Sequence, residues 1–233
     1  MNKIKGTLIC PMLIIGFALI FADGCKKNET DNTPEITGET VTDIDGNVYH
    51  AVTIGTQVWM AENLKTTRYR NGNPIPNVTD SAQWAALTTG AYCNINNDPN
   101  TVNIYGRFYN WYAVTDISNI APAGWHVPAD SEWTVLTTYL GTGPGGKLKA
   151  TGTTYWNSPN AGATNQTGFG GLPGGDRSNT GTFHYQGLYG CFWCITESSA
   201  ANAWEHVLSA NSANVIRMGY SKGLGMSVRC VKD

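Results

Sequence analysis

The stretch GWHVPADSEWTVL, residues 124–136, is the part of the chain that decides how it folds. Asp130 can cap a helix, and Trp133 begins an apolar face that recurs at helical spacing. The stretch DSAQWAAL, residues 80–87, begins in nearly the same way. The two patterns predict two short helices with an apolar face to bury, so Trp133 and its counterpart Trp84 are expected in the core.

A second clear signal stands at the beginning of the folded part, in VTDIDGNVYHAVTIGTQVW, residues 41–59. The Asp-Gly-Asn triplet at 45–47 separates two short β-prone segments, and such a triplet predicts the turn of a β-hairpin. Asp43, Asp45 and Asn47 also suggest a calcium loop, but the further oxygen ligands and the closing Glu of such a loop are missing. We therefore favour a turn over a calcium site.

The remainder of the chain combines long loops with short strands. Residues 141–187 are rich in Gly and Pro and predict ordered loop. Three segments near the end, 204–209, 215–220 and 226–231, are separated by Asn and Gly turns and predict a meander. The fold class expected is α+β, with two short helices, small antiparallel sheets and long ordered loops.

The beginning of the chain is typical of an exported lipoprotein. Residues 8–21 are almost wholly apolar, but the run is too short and too interrupted for a stable membrane span. The small residues before Cys25 resemble a bacterial lipobox, so residues 1–24 are expected to be a lipoprotein signal peptide and Cys25 to carry the lipid. The polar residues 25–40 then form a flexible tether, and residues 41–233 form one folded domain.

This arrangement predicts a cell-envelope protein that its lipid anchors to the outer membrane, without a membrane-spanning segment. The charged residues after Cys25 are compatible with display at the cell surface. Without Lys3, Lys5 and Asp23, the 15 basic and 17 acidic side chains become 13 and 16, and the net charge becomes about −3. With no basic patch, nucleic acid is not expected as a partner.

Four cysteines remain after processing: Cys93, Cys191, Cys194 and Cys230. An even number in an oxidising compartment predicts two disulfides, with three possible pairings. A zinc ribbon needs two close pairs, and only Cys191 and Cys194 are close. A thioredoxin-type pair would begin a helix, whereas the flanks of this pair are aromatic and β-prone. We therefore favour disulfides and expect neither a metal nor a cofactor.

Seven stretches together resemble one protein family. They are DIDGNVY (43–49), QVWMAENLK (57–65), YGRFYNWYAV (105–114), GWHVP (124–128), GKLK (146–149), LPGG (172–175) and SVRCVKD (227–233). This set resembles the Fibrobacter succinogenes major paralogous domain, which is common in lipoproteins of the Bacteroidetes and Fibrobacteres. The resemblance covers the whole folded domain, and the biochemical role of the family is largely undefined.

The family is similar in turn to the C-type lectin-like fold and to the formylglycine-generating enzymes. The Thr that this resemblance implies as helix cap is Ala129 here, so capping is expected to fall to Asp130 or to a water. Cys191 and Cys194 replace an aromatic residue and a Ser of the family pattern, so the pair is expected to be a local addition. The usual partner of Cys230 is absent, which implies that Cys230 pairs with one of these two.

The resemblance also implies a binding face, because long loops and the strand after them form that face in C-type lectin-like folds. The face maps to eight residues: Asp176, Arg177, Tyr185, Tyr189, Trp193, Glu197, Asn202 and Trp204. Aromatic rings flanked by carboxylates and amides suit a glycan, although about half of these aromatics are expected in the core. The calcium motifs of true lectins are absent. We therefore expect a non-catalytic surface binding or adhesion module, whose partner is a glycan or a surface protein.

Signals for catalysis are weaker. The four histidines stand in unrelated contexts, and no Ser lies in a nucleophile elbow. Glu197 and Glu205 could form the carboxylate pair of a glycosidase, but we interpret them as strand-edge or loop charges. Two alternatives stay open. One is a thiol-dependent oxidoreductase related to the generating enzymes, with Cys191 or Cys194 as its reactive thiol. The other is a structural envelope protein that displays its loops to a partner protein.

Overall fold

The computed structural model describes Met1 and residues 36–233. The strands in this part of the chain are β1 (Ile36–Thr42), β2 (Val48–Ile54), β3 (Gln57–Met60), β4 (Tyr92–Cys93), β5 (Phe108–Tyr109), β6 (Trp125–His126), β7 (Asp176–Arg177), β8 (Phe183–His184), β9 (Tyr189–Glu197), β10 (Asn202–Ser209), β11 (Ser212–Ser221) and β12 (Val231–Lys232). The helices are α1 (Ser81–Ala85), α2 (Val102–Tyr105), α3 (Trp111–Val114), α4 (Asp130–Leu140) and α5 (Pro144–Leu148), with 3₁₀ turns at Ile95–Asn97 and Pro99–Thr101. The α+β class with short helices and small antiparallel sheets is therefore confirmed.

The largest sheet contains the predicted hairpin and has the strand order β1-β2-β3-β12-β6. Asp43 closes the turn between β1 and β2. Its Oδ1 atom accepts the backbone amides of Asp45 and Asn47, both at 2.9 Å, and its Oδ2 atom accepts the Tyr49 hydroxyl at 2.6 Å. Because these donors occupy both oxygens of Asp43, the prediction of a turn is confirmed.

The first strand begins earlier than the predicted domain, which was expected to start at Val41. Ile36 pairs with Val52 of β2, and the ladder contains a register irregularity between Ile36 and Thr40. Residues 36–40 were assigned to the tether because they lack an apolar period, and this assignment is corrected. Main-chain hydrogen bonds to β2 order them, and such bonds do not depend on side-chain pattern.

Several predictions fall on residues that the structure does not describe. The lipid attachment at Cys25, the tether up to residue 35 and, apart from Met1, the signal peptide 1–24 lie outside the described residues. Within Met1 and residues 36–233, no helix combines the length and the apolar character that a membrane span requires.

The second sheet has three strands in the order β11-β10-β9 and corresponds to most of the predicted meander. Its first strand is β9, which the meander prediction did not include. The predicted last segment, 226–231, is mostly irregular, and only Val231–Lys232 forms a strand, β12, in the other sheet. The reason is that β12 pairs with β3 and β6, so the chain leaves the three-stranded sheet after β11.

Both predicted helices are present, and both predicted tryptophans lie in the core. The Asp80 carboxylate caps α1 by accepting the Gln83 amide at 2.8 Å. Trp84 and Trp133 are almost wholly buried. Trp133 stacks on the His206 ring with the centroids 4.6 Å apart, so α4 is packed directly on β10.

The predicted role of Asp130 in capping is wrong. Asp130 is the first residue of α4, and its carboxylate accepts two hydrogen bonds from the guanidinium of Arg217, at 2.6 and 2.8 Å. Two other side chains accept hydrogen bonds from the backbone amides at the start of the helix. Glu132 accepts the Ala129 amide at 2.8 Å, and the Asp130 amide donates to Thr196 Oγ1 at 3.0 Å.

Three further helices, α2, α3 and α5, were not predicted. Each has only four or five residues, which is too short to show an apolar period in the sequence. The side chain of Asn110 begins α3 by accepting the Ala113 amide at 3.0 Å. These short helices lie within the long connections between the sheets and make those connections more compact.

Buried polar residues of the recognised motifs tie the sheets to the loops. The Arg229 side chain is buried and donates to Asn63 Oδ1 through Nε and Nη2, at 3.0 and 2.6 Å, and also to the Phe169 carbonyl. Lys149 is equally buried, and its Nζ donates to the carbonyls of Ala161, Ser209 and Ser212. These motif residues therefore serve the fold, because each satisfies main-chain or amide groups that would otherwise be unpaired.

Candidate functional site

A cavity with a volume of about 520 Å³ lies on one face of the three-stranded sheet. The register of the three strands determines which side chains form the floor of this cavity. Glu205 on β10 stands opposite Met218 on β11, and Val207 stands between Cys191 on β9 and Ile216 on β11. Directly opposed residues share one face of a sheet, so all five side chains point into the cavity. The opposite face of the sheet packs against α4 and α5.

The wall of the cavity comes from β7, β8 and the turn that follows them. Asp176 pairs with His184 across this small sheet, and both line the cavity. The backbone amide of Gly175 donates to the Tyr189 carbonyl at 2.7 Å, which ties β7 to β9. Leu224 and Met226 complete the rim, so segments distant in sequence meet at this site.

Tyr185 has an unusual backbone conformation at the edge of the cavity. Its φ is +61°, a region that aromatic residues rarely adopt, and the residue is 54 % exposed. The turn is held because the Tyr185 carbonyl accepts the amides of Leu188 and Tyr189. A side chain at Gly175 would collide with this turn. Such strain persists only where the surroundings enforce it, and it presents the Tyr185 ring to solvent beside the Tyr189 ring, 5.1 Å away.

Two carboxyl groups face the cavity, and no Lys or Arg is among the residues that line it. Glu205 is 2 % exposed, and its Oε2 atom has no hydrogen-bond partner among the described residues. Burial, and then the neighbouring charge of Asp176, raise the pKa of Glu205 to about 8. Burial also raises the pKa of Asp176 to about 6, with His184 opposing the shift. The site thus holds two carboxyl groups that bind protons more tightly than exposed ones.

The cavity brings together three of the eight residues predicted for binding: Asp176, Tyr185 and Tyr189. Arg177 and Trp193 are in the core instead. The Arg177 guanidinium donates to the carbonyls of Val78, Thr79 and Gly181 and stacks on the Trp84 ring. Trp193 Nε1 donates to the Tyr109 carbonyl at 3.0 Å.

The other three predicted residues lie away from the cavity. Glu197 forms an ion pair with Lys222, with 2.6 Å between Oε1 and Nζ, and lines a separate, open groove. The Asn202 main chain belongs to the turn between β9 and β10, where its amide donates to the Ser199 carbonyl. Trp204 lies under the Arg217 guanidinium, 3.3 Å from the ring centroid, on the sheet face opposite to Glu205.

The predicted disulfides are not present among the described residues, because Cys93, Cys191, Cys194 and Cys230 all have free, buried thiols. Cys191 and Cys194 are three residues apart on one strand, so their side chains point to opposite faces and contact different core clusters. A bond between these two would break β9. Burial raises the pKa of the Cys194 thiol to about 11 and that of Cys191 well above its ordinary value.

One cluster has the residue types of a metal site. Ligand atoms of Asp130, Cys194 and His206 lie within 4.8 Å of one another. Arg217 already neutralises Asp130 with two hydrogen bonds, and the Cys194 thiol donates to the Trp204 carbonyl at 3.2 Å. A metal ion there would compete with the guanidinium and with the thiol proton, so the cluster functions as a polar contact between α4 and the sheet.

The sequence interpretation missed the central residue of the cavity. Glu205 was interpreted as a strand-edge or loop charge, whereas it lies in the middle strand of its sheet. The signal that could have identified it is its position between Ala203 and Val207, since alternation places a carboxyl on an apolar face. Tyr220 and His184 were also missed, because only the tertiary arrangement brings them to the cavity.

The comparisons with known proteins agree with the recognised motifs. No curated protein and no solved structure matches the chain. The model of the Fibrobacter succinogenes major domain matches residues 52–232, which is most of the 233 residues. The chain therefore belongs to the Fibrobacter succinogenes major domain family.

Proposed function

We propose that this protein is a non-catalytic binding module of the cell envelope that holds a glycan in the cavity on the three-stranded sheet. The observation that carries the proposal is the buried Glu205 side chain, which lines the cavity and whose Oε2 atom has no hydrogen-bond partner among the described residues. Burying a polar group without a partner is costly, and a ligand hydroxyl or amine would remove this cost.

The size and composition of the cavity support a saccharide ligand. Its volume of about 520 Å³ lies within the roughly 300–1,000 Å³ that small-molecule sites occupy. Tyr185, Tyr189 and Tyr220 supply ring faces, while Asp176 and Glu205 supply polar groups. Sugars need both, because their C–H faces stack on aromatic rings and their hydroxyls bind carboxyl groups.

The fold and location proposed are those expected from the sequence. The mixture of short helices, small antiparallel sheets and long ordered connections is compatible with a C-type lectin-like fold. In such a fold a ligand would be bound by the late strands and the loops before them, and the cavity has this position in the chain. We propose anchoring at the outer membrane through a lipid on Cys25, with the folded domain as the ligand-binding part.

The thiol chemistry argues against the oxidoreductase alternative. A reactive thiol needs exposure and a low pKa, whereas burial raises the pKa of both Cys191 and Cys194. Neither thiol is exposed, and Cys191 lies at the floor of the cavity with only a small accessible area. The third possibility, a purely structural display protein, makes no use of an unpartnered carboxyl in a cavity.

A glycan array tests the proposal. The purified protein is expected to bind a subset of saccharides, and Tyr220→Ala is expected to weaken binding about threefold to tenfold through the loss of a stacking surface. Tyr139→Ala is the matched control, because Tyr139 is an exposed tyrosine on α4, outside the cavity. Binding that is absent from the whole array, or equally affected by both substitutions, would contradict the proposal.

A further inference from the structure

None of the side chains that line the cavity around Glu205 carries a permanent positive charge. The titratable groups besides Glu205 are Asp176 on β7, His184 on β8, Tyr185 and Tyr189 around the turn before β9, Cys191 on β9 and Tyr220 on β11. Among the residues that line the cavity, His184 is the only one that can become positive, and no Lys or Arg is present. The rim residues Leu224 and Met226 contribute no charge.

Two enclosed carboxyl groups without a permanent counter-ion attract positive charge when they ionise. Once Glu205 is ionised, the hydrogen bond that its Oε2 atom lacks must come from a donor, because an ionised carboxylate only accepts. A ligand ammonium group offers both the donor and the charge, whereas a hydroxyl offers only the donor. The electrostatics of the cavity therefore favour an amine.

The aromatic rings point to the same chemistry. Tyr185 and Tyr189 lie with their centroids 5.1 Å apart, and Tyr220 approaches from β11. A cation over the face of a tyrosine ring is stabilised by the ring quadrupole, most strongly in a site that excludes water. Carboxyl groups surrounded by such rings are a common arrangement for recognising ammonium groups.

We propose that the cavity binds a saccharide with a free, protonated amine, and that the ammonium group docks on Glu205 with release of the proton of that carboxyl group. This inference rests on the proposed function of the cavity as a glycan site. In the bound state the carboxylate accepts from the ammonium group, no covalent bond changes in the ligand, and the displaced proton passes to the buffer.

Proton release links affinity to pH in a defined direction. In the empty cavity burial raises the pKa of Glu205 to about 8, so the carboxyl is protonated at pH 6 and must lose its proton when an ammonium group docks. For a ligand whose amine is already protonated in solution, affinity should therefore rise by roughly tenfold per pH unit between pH 6 and pH 7, since one proton is released per ligand bound. A neutral saccharide would bind with no such dependence on Glu205.

Isothermal titration calorimetry of the full-length protein separates these cases. The probes are a glucosamine tetramer with free amines and its N-acetylated counterpart, which differ only in charge and the acetyl groups. Each is titrated at pH 6 and pH 7 in two buffers of different ionisation enthalpy, so that the heat difference counts the protons released. We expect the free-amine tetramer to bind more tightly and to release about one proton at pH 6.

Variants identify the group that releases the proton. Glu205→Gln preserves the shape of the side chain and is expected to abolish both the proton release and the preference for the free amine. Asp176→Asn provides a second test in case the first variant does not fold, and it should weaken the preference for the amine. Glu197→Gln is the matched control, because this carboxylate lies outside the cavity.

Each outcome decides a different claim. Equal binding of the two tetramers without proton release would overturn the amine assignment and leave glycan binding intact. Proton release that persists in Glu205→Gln would also overturn it, because another group would then be the source. The absence of binding by both tetramers would overturn this inference, whereas the proposed glycan function falls only if binding is also absent from the whole glycan array.

Discussion

Glu205→Gln should make the protein more stable at neutral pH and leave it almost unchanged at low pH. In the folded protein burial raises the pKa of Glu205 from 4.5 to about 8. Between these two values the unfolded chain is ionised while the folded protein keeps the proton. Stability is therefore lost as the pH rises from 4.5 towards 8, and Gln, which does not titrate, avoids this loss.

The size of the stabilisation follows from the number of pH units between the pKa of Glu205 in the unfolded chain and the pH of the experiment. About 2.5 pH units separate 4.5 from pH 7, and each is equivalent to about 1.4 kcal/mol, so the substitution should stabilise the protein by about 3 kcal/mol at pH 7. At pH 5 the same reasoning gives about 1 kcal/mol or less. No large screening correction applies, since the Glu205 residue is 2 % exposed.

Urea unfolding at pH 5, 6 and 7, followed by the fluorescence of the 8 tryptophans, measures this difference. The free energies of wild type and variant should diverge as the pH rises. Glu197→Gln should not reproduce this divergence, because the Glu197 side chain is 54 % exposed and lies outside the cavity. Parallel curves for wild type and Glu205→Gln would refute the reasoning, because they would mean that the carboxyl is hydrated or paired.

Three further predictions concern the fold. Lys149→Met should lower the free energy of unfolding in urea by about 2–4 kcal/mol, since three carbonyl groups lose this donor. A loss no larger than that of Lys147→Met, which removes one hydrogen bond to a carbonyl, would contradict it. His126→Ala should lower the melting temperature more at pH 5 than at pH 8. Burial opposes protonation of His126, but hydrogen bonds to Asp233 and Glu132 outweigh it and raise the pKa, so its stabilisation is present at low pH and lost as the pH rises. A thiol reagent should label none of the four buried cysteines in the native, mature domain. It should label all four after the domain is unfolded in urea without reductant. Labelling of fewer than four cysteines in urea would show that disulfides form.

Local sequence patterns were sufficient for the elements that local physics controls. The hairpin was predicted because Asp-Gly-Asn favours one kind of turn, and Asp43 then completes it within the same segment. The helix starting at Asp130 and the buried Trp133 were predicted because an apolar period is readable over a few residues, although the predicted cap was wrong. The family motifs were readable for the same reason.

The α+β class, the two main helices, the hairpin and the family were thus readable from the chain, because neighbouring residues carry those signals. The site was not readable in this way. The tertiary structure placed Arg177 and Trp193 in the core, moved Glu205 from a supposed strand edge to the floor of a cavity, and set Tyr220 beside it. The physical reason is that strand register and sheet order, which depend on contacts between distant segments, choose which side chains share a face.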